Sequence, residues 1–460
     1  MMKNVEIDLL VAEIGSTTTV LNAFDGLENG EHPVFLAQAN SATSVQTGDV
    51  RLGLEEAKAA LARKLKAENI TARNYFATSS AAGGLSMTVH GLVRDMTVRA
   101  AREAALGSGA VLRLVTAGKL RPSDLEQIRE IGPRIIMVAG GVDFGERDTA
   151  IFNFTKLAEE VTDTPFLYAG NCENQHEIQQ IAGEQKVELH LSENVYPDID
   201  RLNIEPARAI IQTIFEEHII EAPGMAHIYD QVSGKIMPTP GAVMAMAELL
   251  YAEVGDLLVI DVGGATTDVH SVSPGSDAMQ QISVAPEPFA KRTVEGDLGV
   301  FINRHLVFQE MPEKLRRQLS PAAVAALDTL KEEPQTEADW ELLEALTETC
   351  LSTALERHAG RIFESYSPQG REKMVKGKDL TQVSTIILTG GALTNLQRPD
   401  EILRRVLAAA SADKLYPAAD ARVIIDRDYI MASLGVMASR YPAGALKIFR
   451  NSADLKVSPE

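Results

Sequence analysis

The chain has 460 residues, 45 % hydrophobic and 23 % charged, and its two cysteines, Cys172 and Cys350, lie far apart. That length predicts about two to three domains with cores large enough to need no staples, and two distant cysteines exclude a disulfide framework and every Cys-x-x-Cys metal pattern within the chain. A formal net charge of −20 argues against nucleic acid, itself a polyanion that requires a basic stripe.

The densest basic stretch, Arg371, Lys373, Lys376 and Lys378, reads as a solvated loop. No apolar run reaches the ~18 residues of a spanning helix, and the N-terminal MMKNVEIDLLVAEIGS lacks signal-peptide anatomy. The expectation is a cytoplasmic protein without a membrane partner.

In chain order, residues 5–14 predict an apolar strand, 17–24 a second after a tight turn, and 34–39 a third, together a β-meander. Leu52, Leu54, Ala57, Leu61 and Leu65 have helical spacing, and 75–79 is a short strand ending in Ser79-Ser80-Ala81-Ala82-Gly83-Gly84. Helices at 98–106, 124–131, 147–161 and 176–182 then alternate with strands at 111–116, 134–139, 165–169 and 187–191. Ser123 is expected to cap the second of these helices, with Glu126 completing a capping box. The alternation implies right-handed crossovers and a parallel sheet, an inserted module over roughly residues 105–200. Helices follow at 205–218 and 242–252, a strand at 257–262 with its hairpin partner at 267–272, and a charged helical segment at 315–348. Strands at 386–388 and 423–425 and a helix at 428–439 complete the series.

Three segments share one design: a buried strand, a turn of glycines and hydroxyl residues, and renewed secondary structure. The first carries Glu13, Gly15, Ser16, Thr17 and Thr18; the second Asp261, Gly263, Gly264, Ala265, Thr266, Thr267 and Asp268; the third Gly390, Gly391 and Ala392. Glycine lets backbone N–H groups approach an anion and accepts positive φ, and hydroxyls donate to phosphate oxygens. An acid at the strand end can hold Mg²⁺, which then bridges to phosphates; Glu13 and Asp261 are placed for that, and with Asp268 they are the candidate catalytic acids. The third segment lacks an acid and suits a base or ribose lying against the backbone. A fourth stretch, with Lys291, Arg292, Glu295 and Gly296 before Gly299, is a further candidate wall of the nucleotide site. Neither Gly-x-x-x-x-Gly-Lys-Ser/Thr nor Gly-x-Gly-x-x-Gly occurs, which disfavours P-loop and Rossmann phosphate sites, and no histidines form His-x-x-x-His.

This ordered set, with Pro238-Thr239-Pro240-Gly241 leading into an alanine-rich helix, resembles the actin-like ATPase superfamily of sugar kinases, acetate kinase and heat-shock ATPases. The resemblance implies a two-lobed, ribonuclease H-like α/β fold with an inserted parallel-sheet module and ATP with Mg²⁺ in the cleft. The expected divisions are residues 1–104 (first lobe), 105–235 (insert), 236–380 (connecting helix and second lobe) and 381–460 (adenosine turn and return to the first lobe). Glu13 stands where the superfamily usually has Asp, which shifts the carboxylate by about one C–C bond, ~1.5 Å, and bears on metal geometry.

Over nearly its whole length the chain also resembles the MutL-type glutamate mutase (methylaspartate mutase) accessory family. The resemblance rests on Glu13-Ile14-Gly15-Ser16-Thr17-Thr18-Thr19, on Ser79 to Leu85, on Ala139-Gly140-Gly141-Val142-Asp143 and on Tyr168-Ala169-Gly170-Asn171. It continues in Leu202-Asn203-Ile204-Glu205-Pro206-Ala207-Arg208, Asp261 to Asp268 and Val294 to Gly299. It implies an ATP-binding chaperone or reactivating factor for subunits of an adenosylcobalamin-dependent mutase, driven by lobe closure on ATP, with the insert as partner surface. A small-molecule kinase of the same superfamily stays open as the alternative, with Asp268 or Asp143 as base. An iron–sulfur activator is disfavoured because Cys172 and Cys350 sit in unrelated segments.

Overall fold

A computed structural model describes residues 3–15, 18–28, 32–44, 48–80, 85–218, 225, 232, 236–367 and 370–453. The chain divides into two compact units: residues 1–246 with 432–448, and residues 247–431 with 449–460.

The first unit opens with β1 (Lys3–Ile14), β2 (Thr18–Asp25), β3 (Val34–Ala42), helix α1 (Val50–Lys64) and β4 (Ala67–Ser79). β1 is flanked by β2 and β4 along its two edges, and residues 7–14 are all buried, so both its faces are covered. That is why it reads as a continuous apolar run rather than an alternating one. Its two buried acids, Asp8 in mid-strand and Glu13 near the carboxyl end, have different surroundings. Asp8 accepts the Leu27 and Glu28 N–H groups at 2.7 and 3.2 Å and fixes the turn after β2. Glu13 lies beside the β1–β2 turn. Asp49 caps α1 by accepting the Arg51 N–H at 2.9 Å.

A second sheet follows within the same unit: β5 (Leu85–Gly91), α2 (Arg99–Gly107), β6 (Ala110–Ala117), α3 (Pro122–Ile131), β7 (Ile135–Val138), α4 (Asp148–Glu160), β8 (Phe166–Tyr168), α5 (Gln175–Gln185) and β9 (Leu189–Leu191). Its order is β6-β5-β7-β8-β9, every pair parallel, the doubly wound 2-1-3-4-5 arrangement. Successive β7 residues enter opposite cores: Ile135 and Met137 join one apolar cluster, Ile136 and Val138 the other. Burying each such side chain contributes roughly 1.5–3 kcal/mol. β5, unassigned from sequence, supplies the strand between β6 and β7. The expected cap at Ser123 is corrected: α3 begins at Pro122, whose fixed φ suits the first helical position, and the Asp124 carboxylate accepts the Arg121 N–H at 2.8 Å. Helix α6 (Glu205–His218) and β10 (Ile236–Pro238) follow; β10 pairs in parallel with β4 and completes the first sheet as β10-β4-β1-β2-β3. The helix Thr239–Val254 starts directly after it.

The second unit contains β11 (Leu257–Val262), β12 (Thr267–Val272), β13 (Ala290–Glu295), β14 (Arg361–Ser367), β15 (Gly370–Lys376), β16 (Thr385–Thr389) and β17 (Arg422–Ile425). Its main sheet runs β13-β12-β11-β16-β17. The helical segment expected at 315–348 consists of several short helices and one long helix, Glu337–His358, whose Thr336 and Asp339 cap each other: Asp339 N–H to Thr336 Oγ1 at 3.2 Å, Thr336 N–H to Asp339 Oδ2 at 2.9 Å. Of the basic stretch expected to be a loop, Arg371, Lys373 and Lys376 lie in strand β15, paired with β14, and Lys378 beyond it is buried with its Nζ donating to the Ser273, Pro288 and Phe289 carbonyls at 2.7, 2.5 and 3.2 Å. Three oxygens take the place of water, which is what makes burial of an ammonium tolerable.

The two main sheets have one topology: three antiparallel strands in a meander, then two strands parallel to the first. This duplication is the ribonuclease H-like architecture of actin-like ATPases. Among the described residues no helix is long and apolar enough to cross a membrane.

Candidate functional site

The duplication makes the two hairpins comparable atom by atom. In the first, Glu13 lies opposite Val20, Ile14 opposite Thr19, and the Gly15 N–H donates to the Thr18 carbonyl at 2.9 Å. In the second, Asp261 lies opposite Asp268, Val262 opposite Thr267, and the Gly263 N–H donates to the Thr266 carbonyl at 2.9 Å. Glu13 and Asp261 are therefore counterparts, each two residues before its turn glycine. A Cβ on Gly15 would lie 2.8 Å from the Thr18 oxygen, and one on Gly263 3.2 Å from the Thr266 oxygen, so the turns close this tightly only with glycine there. Ser16 and Thr17 lie outside the described residues.

The parallel neighbours repeat the pattern. Glu13 is in register with Thr78 of β4, and Asp261 with Thr389 of β16. Thr389 Oγ1 donates to Asp426 at 2.9 Å, and burial raises the pKa of that carboxyl. Thr78 Oγ1 is buried without a hydrogen-bond partner, and so is Thr239 Oγ1 at the start of the helix after β10. An orphaned buried hydroxyl is uncommon and calls for a ligand or water. Sequence reasoning missed Thr78 and Thr389, because only strand pairing puts them beside the acids, and it also missed Thr239 and Asp426.

In the second unit three of the expected segments converge. Gly390 has φ +91°, and a Cβ on it would lie 2.3 Å from Asp261 Oδ1 and 2.6 Å from the Val262 nitrogen. Gly299 packs against Ala265, where a Cβ would lie 2.3 Å from the carbonyl carbon. Thr267 Oγ1 donates to the Leu298 carbonyl at 2.6 Å, Asn303 Nδ2 to the Ala265 carbonyl at 2.9 Å, and the Phe301 N–H to the Gly264 carbonyl at 2.9 Å. Hairpin, Gly390 turn and Gly296–Gly299 turn are thus one backbone assembly. Gly296 and Gly391 face open space, while Ala392 is buried.

The charged candidates divide. Asp268 is held by buried Arg292, Nε at 2.8 Å and a terminal nitrogen at 2.6 Å, and accepts Thr266 Oγ1 at 3.3 Å. Glu295 pairs with Arg357 at 2.6 Å; burial raises its pKa, opposed by that guanidinium. Lys291 stands opposite Ser271, four positions back along β13 from Glu295, about 13 Å at strand rise, and pairs with Glu287 at 2.6 Å. The structure does not bring it to the turn. Asp143 follows β7 in the other sheet, where it accepts the Cys172 N–H at 2.9 Å and Asn194 Nδ2 at 3.0 Å. Cys350 is buried in the helix Glu337–His358, its thiol pushed up to about 12 by burial, and Cys172 is exposed.

Each hairpin by itself offers oxygen donors: the Glu13 carboxylate with the Thr78 hydroxyl in the first unit, and the Asp261 carboxylate in the second. Such a set suits a hard cation like Mg²⁺ rather than a soft metal, and the unpartnered Thr78 hydroxyl beside Glu13 leaves a polar atom for a ligand to satisfy. A groove of about 1130 Å³ elsewhere in the second unit is lined by Glu344, Glu348, Arg405 and neighbours, and none of the expected site residues lines it.

The profile of the family described as MutL protein matches residues 9–453. Protein MutL of Clostridium tetanomorphum is 36 % identical over 458 residues, covering 96 % of this chain and 98 % of its own. Among solved structures, the activator of the 2-hydroxyisocaproyl-CoA dehydratase from Clostridium difficile with bound ADPNP aligns over 98 % of this chain and 99 % of its own at 9 % identity, TM-score 0.32. A xylulose kinase from Lactobacillus acidophilus, ligand-bound, aligns over 98 % and 90 % at 11 % identity, TM-score 0.34. With scores this low, the fold class rests on the two repeated strand orders.

Proposed function

The chain belongs to the MutL family, and from that premise we propose that it binds ATP with Mg²⁺ as an accessory or reactivating protein for an adenosylcobalamin-dependent mutase of the glutamate mutase type. The observation that carries this reading is the repeated acid-x-glycine hairpin, closed by the same 2.9 Å bond in both units. The Gly15–Thr18 and Gly263–Thr267 turns hold phosphate oxygens through backbone N–H groups and hydroxyls. Glu13 and Asp261 hold the cation, and the Gly390–Ala392 turn lies on the adenosine side. Mg²⁺, when bound, neutralises phosphate charge. Nucleotide exchange drives lobe closure and opening, because a ligand shifts a conformational equilibrium by its differential affinity for the two states.

The accessory reading is favoured over a kinase by the fate of the two expected bases: Asp268 is engaged by Arg292, and Asp143 belongs to the inserted sheet. The test is complex formation with purified mutase subunits, and steady-state ATPase with and without them. The expected result is a complex whose affinity differs between ATP and ADP. A complex indifferent to nucleotide, or stoichiometric phosphorylation of one metabolite, contradicts the proposal.

A further inference from the structure

In a doubly wound sheet, ligands bind outside the carboxyl ends of the strands. Here the crevice between β5 and β7 is already filled: a Cβ on Gly91 would lie 2.8 Å from Val98 Cγ2, one on Gly140 3.1 Å from Ala150 Cβ, and one on Gly170 2.7 Å from the Gly140 nitrogen. These glycines serve to pack the loops on one another, which leaves the outward face of the loops.

That face is built at a cost. Among the described residues, five non-glycine residues have positive φ, and two of them, Phe144 at 63° and Asp200 at 59°, lie in the loops after β7 and β9. A bulky side chain in this region is an outlier costing roughly 1–2 kcal/mol. Phe144 is nevertheless 79 % exposed and Ile199 67 %, so neither is held there by burial of its own side chain. The backbone is locked from beneath. Buried Asn171 accepts the Phe144 N–H at 3.2 Å through Oδ1 and donates to the Gly145 carbonyl at 3.3 Å. Buried Asn194 donates to the Gly141 carbonyl at 3.1 Å and to Asp143 at 3.0 Å. The Asp143 N–H donates to the Pro197 carbonyl at 2.9 Å, joining the two loops, and the Asp200 N–H donates to buried Tyr196 Oη at 2.9 Å. Strain maintained at an exposed aromatic by a buried polar network marks a functional surface rather than a packing compromise.

The charge around it has one predominant sign. Glu173, Asp198 and Asp200 are exposed in the same loops, and Asp148 is exposed at the start of α4. Of the exposed arginines there, Arg147 is drawn back onto Asn174 Oδ1 at 3.0 Å and the Glu173 carbonyl at 3.3 Å, leaving Arg201 as the other basic residue. Two exposed apolar side chains among acidic ones complement an apolar pocket ringed by lysines and arginines.

We propose that the loops after β7, β8 and β9 form the docking surface for the mutase subunit, with Phe144 as the anchor inserted into an apolar, basic-rimmed pocket of that partner. This deepens the proposed function and rests on it. The test is the dissociation constant between the full-length protein and purified mutase subunits at low and high salt, with ATP binding measured on every sample. Phe144→Asn keeps a residue that tolerates positive φ, so the loop keeps its conformation; it is expected to weaken the complex about 10- to 100-fold. Neutralising Asp198→Asn with Asp200→Asn is expected to weaken it at low salt and flatten its salt dependence. Trp340→Ala, an exposed aromatic of the other unit, is expected to change nothing. Wild-type affinity in the Phe144 and Asp198/Asp200 variants overturns the docking surface and leaves the accessory role standing. No binding by the wild type, with ATP bound normally, overturns both docking surface and mutase partnership.

Discussion

The Asp261 carboxylate occupies the space that a side chain on Gly390 would need: a Cβ there would lie 2.3 Å from Asp261 Oδ1. Two segments more than a hundred residues apart in sequence are thereby locked edge to edge, and the acid expected to face the cation is oriented by a turn that has no acid of its own. Gly390→Ala meets both this contact and a φ of +91°, a backbone penalty of roughly 1–2 kcal/mol before any displacement of Asp261. The expected outcome is a melting temperature lower by several degrees together with weakened ATP binding. An unchanged melting curve with unchanged affinity contradicts it.

Asp268 and Arg292 form a buried pair, with the Arg292 side chain 1 % exposed. Removing one partner leaves a buried charge uncompensated and costs about 3–5 kcal/mol, whereas replacing both with apolar groups is often near neutral. Asp268→Asn is therefore expected to destabilise the second unit strongly, and Asp268→Leu with Arg292→Met to recover most of the loss in urea unfolding. A stable Asp268→Asn protein that has lost only turnover would instead assign Asp268 to catalysis.

Among the described residues, His90, His270 and His358 are buried and held neutral. Burial pushes His90 down to about 3. It lowers His270 and His358 as well, helped by Arg292 for the former and by Lys291 and Lys378 for the latter. Because the folded-state values lie below the unfolded value near 6.5, the unfolded chain binds more protons once pH drops below 6.5. Stability is full above that pH and falls on the way down, by about 1.4 kcal/mol per pH unit for each histidine. Urea midpoints at pH 7.5 and 5.5 test the sign: the midpoint is expected to be lower at pH 5.5, and an equal or higher one there counts against it.

Much of this was legible in the residues because the hairpins are local objects. Glu13-x-Gly15 and Asp261-x-Gly263 each declare a strand end and a tight turn within a few positions, and the alternating helices and strands announced the parallel sheet. What stayed hidden depends on partners distant in sequence. Thr78 acquires meaning only through its parallel register with Glu13. Lys291 belongs to the same motif as Glu295, yet a strand carries successive residues away from the turn. Lys378 reads as a surface lysine until three carbonyls enclose it. Ser123 lost the cap to Arg121 because Pro122 prefers the first helical position.

The most direct test of the central claim is calorimetric titration of ATP, with Mg²⁺ and with EDTA, into the wild type, Glu13→Gln and Asp261→Asn. Losing one charged ligand is expected to weaken Mg²⁺-dependent binding about tenfold or more, alike in both variants, and EDTA is expected to abolish the difference from wild type. A wild type that binds no nucleotide, or variants that bind Mg²⁺-ATP as tightly as it does, would contradict the assignment of the paired hairpins to phosphate and metal.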